Sequence, residues 1–207
     1  SYCAIPLIRG ALRSKPMQVI LAEAKDLIGR GIKEINLIAQ DLAAYGTDGP
    51  EKMSKFMQLL EALVALEGDF SIRLLYIHPD AFPRELIPFI AKHKKVLPYF
   101  DIPFQHADEQ VLRSMGRTGT KESYLALIET IRSTVPEAVI RSTILLGYPG
   151  EDEKAFAEVL DFLSKAKLDW VGSFTYSREE GTKAYKLRGE REHKKANKVA
   201  QVHQQQL

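Results

Sequence analysis

Apolar and polar positions along this chain alternate between two periods. Val19, Ile20, Ala24, Leu27 and Ile28 recur at helical spacing after Pro16, until Gly29 and Gly31 end the run. A short apolar strand follows over 34–41 and ends in Gln40-Asp41. Phe56, Leu59, Leu60, Leu63 and Val64 then predict one face of a helix over 53–66. The same alternation recurs. Strands are expected over 70–77, 96–102, 139–146 and 170–176. Helices are expected over 83–94, 108–115, 122–134 and 152–166, with Pro88 kinking the first or shifting its start. Residues 191–207 are polar and Gln-rich and read as a last helix. Strands alternating with helices imply parallel pairing through right-handed crossovers. Near-continuous apolar strands imply a sheet covered on both faces, as in a barrel or a doubly wound fold.

Polar residues collect where the strands end: Gln40-Asp41, His78 with Asp80, Gln105-His106, Gly147 with Glu151, and Ser177 to Glu180. In a parallel α/β sheet the carboxyl ends of the strands form one rim, and ligands bind there. Strand ends are also polar simply because loops meet water. Each residue has a structural alternative. His78 before Pro79 reads equally as a turn histidine bonded to backbone, and Gln105-His106 as a cap for the next helix. Gly147 to Glu151 reads as a tight turn before a helix, with Glu151 and Asp152 favoured by the helix dipole. Its glycines would also let a flat ligand approach the backbone. Arg141 lies inside an apolar strand and calls for a carboxylate partner, on the protein or on a ligand. Arg9 and Arg13 are either solvated charges or anion contacts.

Composition narrows the classes. The 207 residues are 45% hydrophobic, enough for one sizeable core. Lys+Arg 29 against Asp+Glu 27 gives +2, which neither demands nor excludes nucleic acid. A single cysteine, Cys3, argues against a disulfide-stapled secreted domain. No run reaches the ~18 apolar residues of a membrane helix. With no initiator Met and no signal-peptide pattern, the chain reads as an internal piece of a longer cytoplasmic protein with no membrane contact. Alone, Cys3 reads as a small buried hydrophobe.

Several segments together resemble the radical S-adenosylmethionine (SAM) methylthiotransferases, and within them the RimO-type branch, which modifies an aspartate of a small-subunit ribosomal protein. They are Ser1-Tyr2-Cys3-Ala4-Ile5-Pro6, Arg9-Gly10 with Arg13-Ser14, Ala39-Gln40-Asp41, Tyr99 to His106, Met115-Gly116-Arg117, Arg141 to Glu151, and Phe174 to Thr182. The sister branch methylthiolates adenosine in tRNA. It typically reads QN at Gln40-Asp41, HLP at Asp101-Ile102-Pro103, and YS-x-RPGT at Tyr176 to Thr182. This chain matches the protein-modifying branch at all three places, and acidic rim residues fit a basic protein better than RNA phosphates.

The resemblance implies a partial (β/α) barrel of the radical SAM type with parallel strands, lacking its first strand. It implies a core over 1–187 and, over 188–207, a C-terminal helix or linker toward a further domain. It implies a [4Fe–4S] cluster on a C-x3-C-x2-C motif, two such clusters in the intact enzyme, and SAM. Cys3 would be the third cluster cysteine and the catalytic one, with the other two preceding Ser1, so this chain alone would not hold a normal cluster. Gln40 would meet the methionyl part of SAM, and Gln105 and His106 would lie near the ribose. Arg141 would face the SAM carboxylate, and Ile144, Gly147 and Tyr176 would border the adenine. The implied partners are a ribosomal protein, an electron donor, and RNA or ribosome through another domain. The alternatives are tRNA methylthiotransfer, a non-catalytic α/β scaffold, and a hydrolase with metal on His78 and His106, for which no H-E-x-x-H pattern exists.

Overall fold

The computed structural model describes residues 2–187 and 192–205. Its elements in chain order are α1 (Ile5–Arg9), α2 (Met17–Gly29), β1 (Glu34–Ile38), α3 (Phe56–Val64), β2 (Ser71–Leu75), α4 (Leu86–Lys92), β3 (Tyr99–Asp101), α5 (Glu109–Met115), α6 (Lys121–Thr134), β4 (Val139–Leu146), α7 (Glu153–Ala166), β5 (Trp170–Thr175) and α8 (Glu192–Gln205). Residues 188–191 and 206–207, part of the expected C-terminal segment, lie outside the described residues. No helix among the described residues is long and apolar enough to cross a membrane.

The chain forms two compact units. One takes residues 12–101 and 131–138. In it β1 and β2 pair in parallel, from Glu34 opposite Ser71 to Ile38 opposite Leu75. Phe56, Leu59, Leu60 and Leu63 are all buried along α3, as their i, i+3, i+4, i+7 spacing requires. The strands are shorter than their apolar runs. Tyr76 turns at φ +66 and stops β2. Val96 makes only an isolated bridge to Ile72, and Pro98, with no N–H to donate, delays β3 to Tyr99. Pro88 sits in the first turn of α4, where its missing donor breaks no helical bond.

The other unit takes the described residues of 1–11, 102–130 and 139–207. Here β4 and β5 pair in parallel, from Arg141 opposite Trp170 to Leu146 opposite Thr175. β4 buries every second residue, so Ile140, Ser142, Ile144 and Leu146 face the core while Arg141 stays half-buried on the other side. The segment 102–105 runs beside β4: Ile102 N–H donates to Arg141 O (3.0 Å) and Gln105 N–H to Thr143 O (2.8 Å). Buried Ser142 Oγ accepts from Phe104 N–H (3.2 Å). Asp108 and Asp152 cap α5 and α7, accepting from Val111 N–H and Ala155 N–H. The short helix α1 lies where the hydrophobic pattern assigns no element. Pro6 in its first turn and Gly10 at φ +75 behind it set its ends.

Candidate cofactor site at the strand ends

Within this second unit the segment 102–105, β4 and β5 all run in one direction, and their carboxyl ends bring chemistry-bearing residues together. His106 follows the first. Its Nδ1 accepts from Asp108 N–H (3.0 Å), so the neutral ring carries its proton on Nε2 and donates it to Glu151 Oε2 (3.1 Å). Gly147 follows β4 in the left-handed region at φ +71. Its N–H donates to the same Glu151 oxygen (3.1 Å). The other oxygen, Oε1, accepts from Lys198 Nζ of α8 at 2.6 Å. The side chains of Glu151 and Lys198 are 0% and 4% exposed. Burial pushes the Glu151 carboxyl up, but the hydrogen bonds from His106 and Lys198 outweigh it and hold the group below its ordinary value.

Tyr176 follows β5 and extends its pairing, donating N–H to Leu146 O (2.8 Å). Its ring meets Tyr148 edge-on, centroids 5.3 Å apart, and Tyr148 meets Tyr2 in the same manner at 6.2 Å. Lys195 Nζ donates to Tyr176 O (2.8 Å). The Tyr176 hydroxyl is buried and has no hydrogen-bond partner among the described residues, and burial raises its phenol, with Tyr148 adding to the effect.

Cys3 is exposed, and its Sγ accepts from Ile5 N–H (3.4 Å). It lines a cavity of ≈ 360 Å³ with Tyr2, Ile8, Leu145, Tyr176 and Glu179. The sequence reading of Cys3 as a buried hydrophobe is therefore excluded. Gln105 is half-buried, held at φ +71 by its bridge to Ile144. Ile144 itself is fully buried and meets Gln105 through its backbone. The Arg141 guanidinium lies over Gly172, 3.9 Å from where a Cβ would stand there. Gln40 is exposed and belongs to the first unit. In that unit Asp41 accepts from Ala43 N–H and His78 N–H (each 3.1 Å), while His78 Nδ1 accepts from Asp80 N–H (3.2 Å). These two residues build a turn, and no group of three or more metal-ligating side chains exists among the described residues.

The radical SAM superfamily profile matches residues 1–163. The chain belongs to the radical SAM superfamily. Its α/β fold with parallel strands is of the radical SAM type, similar to coproporphyrinogen III oxidase (HemN) from Escherichia coli, described as a radical SAM enzyme (TM-score 0.68, 16% identity, 90% of this chain and 42% of that one). Methylornithine synthase (PylB) is also similar (TM-score 0.65, 17% identity, 100% and 57%). In sequence the chain is 48% identical over 190 residues to the ribosomal protein uS12 methylthiotransferase RimO of Moorella thermoacetica, covering 92% of this chain and 44% of that protein. It thus spans less than half the length of that relative.

Membership in the radical SAM superfamily implies a [4Fe–4S] cluster and SAM. Cys3 has the soft sulfur that iron–sulfur ligation requires, but one thiolate does not make a ligand set, and the described residues alone do not fit a cluster. They do fit SAM in one respect: the buried Tyr176 hydroxyl lacks a partner beside the Cys3 cavity, as a site for a polar ligand would leave it. Sequence reasoning missed Lys195 and Lys198, and read Glu151 as a strand-end residue or a helix-dipole partner, not as a buried acceptor. The missed signal was a helical stripe, Lys195, Lys198 and Val202, all buried in the fold at i, i+3, i+7 spacing.

Proposed function

We propose that this chain is the SAM-binding core of a methylthiotransferase that replaces a hydrogen on an unactivated carbon of an aspartate, in a small-subunit ribosomal protein, with a methylthio group. The observation that carries the reading is the 48% identity to a uS12 methylthiotransferase across 92% of the chain. The acidic variants Gln40-Asp41, Asp101-Ile102-Pro103 and Glu179-Glu180 favour the protein-modifying branch over the tRNA branch.

In this reading Cys3 supplies one thiolate to a radical SAM cluster, and the intact enzyme carries a second cluster for the sulfur. SAM bound there supplies the radical chemistry. The chain's own residues bind and orient it. Gly147, Ile144 and Tyr176 border the adenine, Gln105 faces the ribose, and Arg141 holds the carboxylate. His106 spends both ring nitrogens inside the protein, so it serves the ribose side by positioning, through Glu151. Residues 1–187 form the core, and 188–207 lead to a further domain that contacts RNA or ribosome. The enzyme works in the cytoplasm with an external electron donor.

The test is anaerobic reconstitution of the full-length protein. Wild type gains iron–sulfur absorbance that Cys3→Ala greatly reduces, and the reconstituted enzyme transfers methylthio to ribosomal protein. Unchanged iron and sulfide in the mutant would reject the Cys3 assignment. Transfer to tRNA instead would reject the substrate.

A further inference from the structure

Helix α8 presents lysines where a docked helix ordinarily presents apolar side chains. Lys195 and Lys198 are 5% and 3% exposed, and a buried ammonium is tolerated only when paired and hydrogen-bonded. Lys195 pairs with the β5 strand end that lines the cavity beside Cys3, and Lys198 pairs with the buried turn that follows the neighbouring strand β4. Lys198 Nζ reaches Glu151 Oε1 at 2.6 Å, and Lys195 Nζ reaches Tyr176 O at 2.8 Å. The Lys195 stem also fills the space over Gly147. A Cβ there would stand 2.4 Å from Lys195 Cγ, so only glycine lets helix and turn approach this closely.

The carboxylate between them has a second task. Its Oε2 takes both the Gly147 N–H and the His106 Nε2–H, while Oε1 takes Lys198. Glu151 therefore couples three elements: α8, the loop after residue 105, and the left-handed turn after β4. The groups facing it are His106 from that loop, Lys198 from α8, and the Gly147 N–H from its own turn. An ionised Glu151 accepts from all three at once. Without Lys198 its Oε1 loses the ammonium, and a buried carboxylate so exposed to desolvation either swings or takes a proton. If it swings, Oε2 leaves the Gly147 and His106 donors; if it is protonated, Oε2 accepts from them only as a neutral carbonyl oxygen and holds them less tightly.

We propose that Lys198 is a positioning residue for SAM: by pairing with Glu151 it fixes the Gly147 turn and the His106 ring, so that α8 completes the SAM site from behind. The inference rests on the reading of this turn as the adenine border.

The test uses the full-length, anaerobically reconstituted enzyme and SAM itself. Affinity is measured by equilibrium dialysis for wild type, Lys198→Met, Glu151→Gln and the double variant. Cluster content and the electron paramagnetic resonance of the reduced cluster are followed in parallel, to separate lost SAM from lost cluster. Lys198→Met is expected to weaken SAM roughly 10- to 100-fold, by analogy with partners that orient the ligands of metal sites. Glu151→Gln is expected to weaken it as well, and adding Lys198→Met to Glu151→Gln should bring no further loss, because both act through one pair. Wild-type affinity in a cluster-loaded Lys198→Met enzyme, or losses that multiply in the double variant, would overturn the proposal. Should Lys198→Met fail to fold, the double variant, which leaves no buried charge unpaired, decides against wild type: wild-type SAM affinity in a cluster-loaded double variant would overturn the proposal. Cluster-loaded wild type that binds no SAM would overturn the proposed function itself, and this inference with it.

Discussion

The most consequential substitution for the fold is Lys198→Met. It removes the cation from a buried pair whose side chains are 0% and 4% exposed and leaves Glu151 Oε1 without the 2.6 Å ammonium contact. Breaking a buried ion pair by removing one partner destabilises by about 3–5 kcal/mol. Two features of the site set the value near the lower end. Glu151 still has two donors to share its charge with, His106 Nε2–H and Gly147 N–H, each 3.1 Å from Oε2 in the wild-type fold, even where they hold it less tightly. The methionine retains most of the lysine stem's packing, so little is lost beyond the ion pair and the ammonium's contact with the Phe156 ring, 5.3 Å from its centroid, which the measured cost of breaking a buried pair already includes. The expected net loss is about 3 kcal/mol, or roughly 6–12 °C in melting temperature for a domain of about 200 residues. Thermal unfolding of the full-length protein, followed by circular dichroism at neutral pH, measures it. Replacing both partners, with Glu151→Gln alongside, leaves no unpaired buried charge and should return stability to within about 1 kcal/mol of wild type. A Lys198→Met protein that melts within about 3 °C of wild type would refute the account of the pair.

Other substitutions follow from the same geometry. Gly147→Ala places a Cβ at φ +71 against Lys195; the left-handed backbone alone costs about 1–2 kcal/mol, and urea unfolding should register at least that loss. Tyr176→Phe deletes a buried hydroxyl with no partner among the described residues. The SAM-free protein should be unchanged or about 0.5–1 kcal/mol more stable, while SAM affinity should fall roughly fivefold if that hydroxyl serves the ligand. Stability should also depend on Glu151 in acid. Its carboxyl is depressed in the fold relative to the usual 4.5, so the unfolded chain takes up the proton first. The stabilisation is therefore complete above the unfolded value and is lost as pH falls through the folded one. A pH series below about 4.5 should show a steep decline in wild type and a shallower one in Glu151→Gln.

Much of the architecture was legible because periodicity follows burial. The expected helices and strands of the β4–α7–β5 stretch agree with the fold to within a residue at each end, since Asp152 as a cap and the alternation along β4 are local signals. The errors have local causes too. Apolar runs over 70–77 and 96–102 overstate β2 and β3 because apolar content does not reveal a left-handed Tyr76 or the donor that Pro98 lacks. At the site, residue types at strand ends marked His106, Gly147 and Tyr176. What the sequence does not display is which partner each would find. His78 and His106 looked alike as strand-end histidines, yet one closes a turn on Asp80 and the other bridges Asp108 and Glu151. The lysines of α8 were hidden by their charge, since a lysine is read as solvated unless its carboxylate is known to lie beneath it.

The central claim, transfer of methylthio to a ribosomal protein, is tested most directly in cells. Ribosomal protein uS12 and bulk tRNA are isolated from cells with and without the gene, and both are analysed by mass spectrometry. The account predicts that loss of the gene removes methylthio-aspartate from the protein and leaves methylthioadenosine in tRNA untouched. Persistence of the protein modification together with loss of the tRNA modification would contradict it.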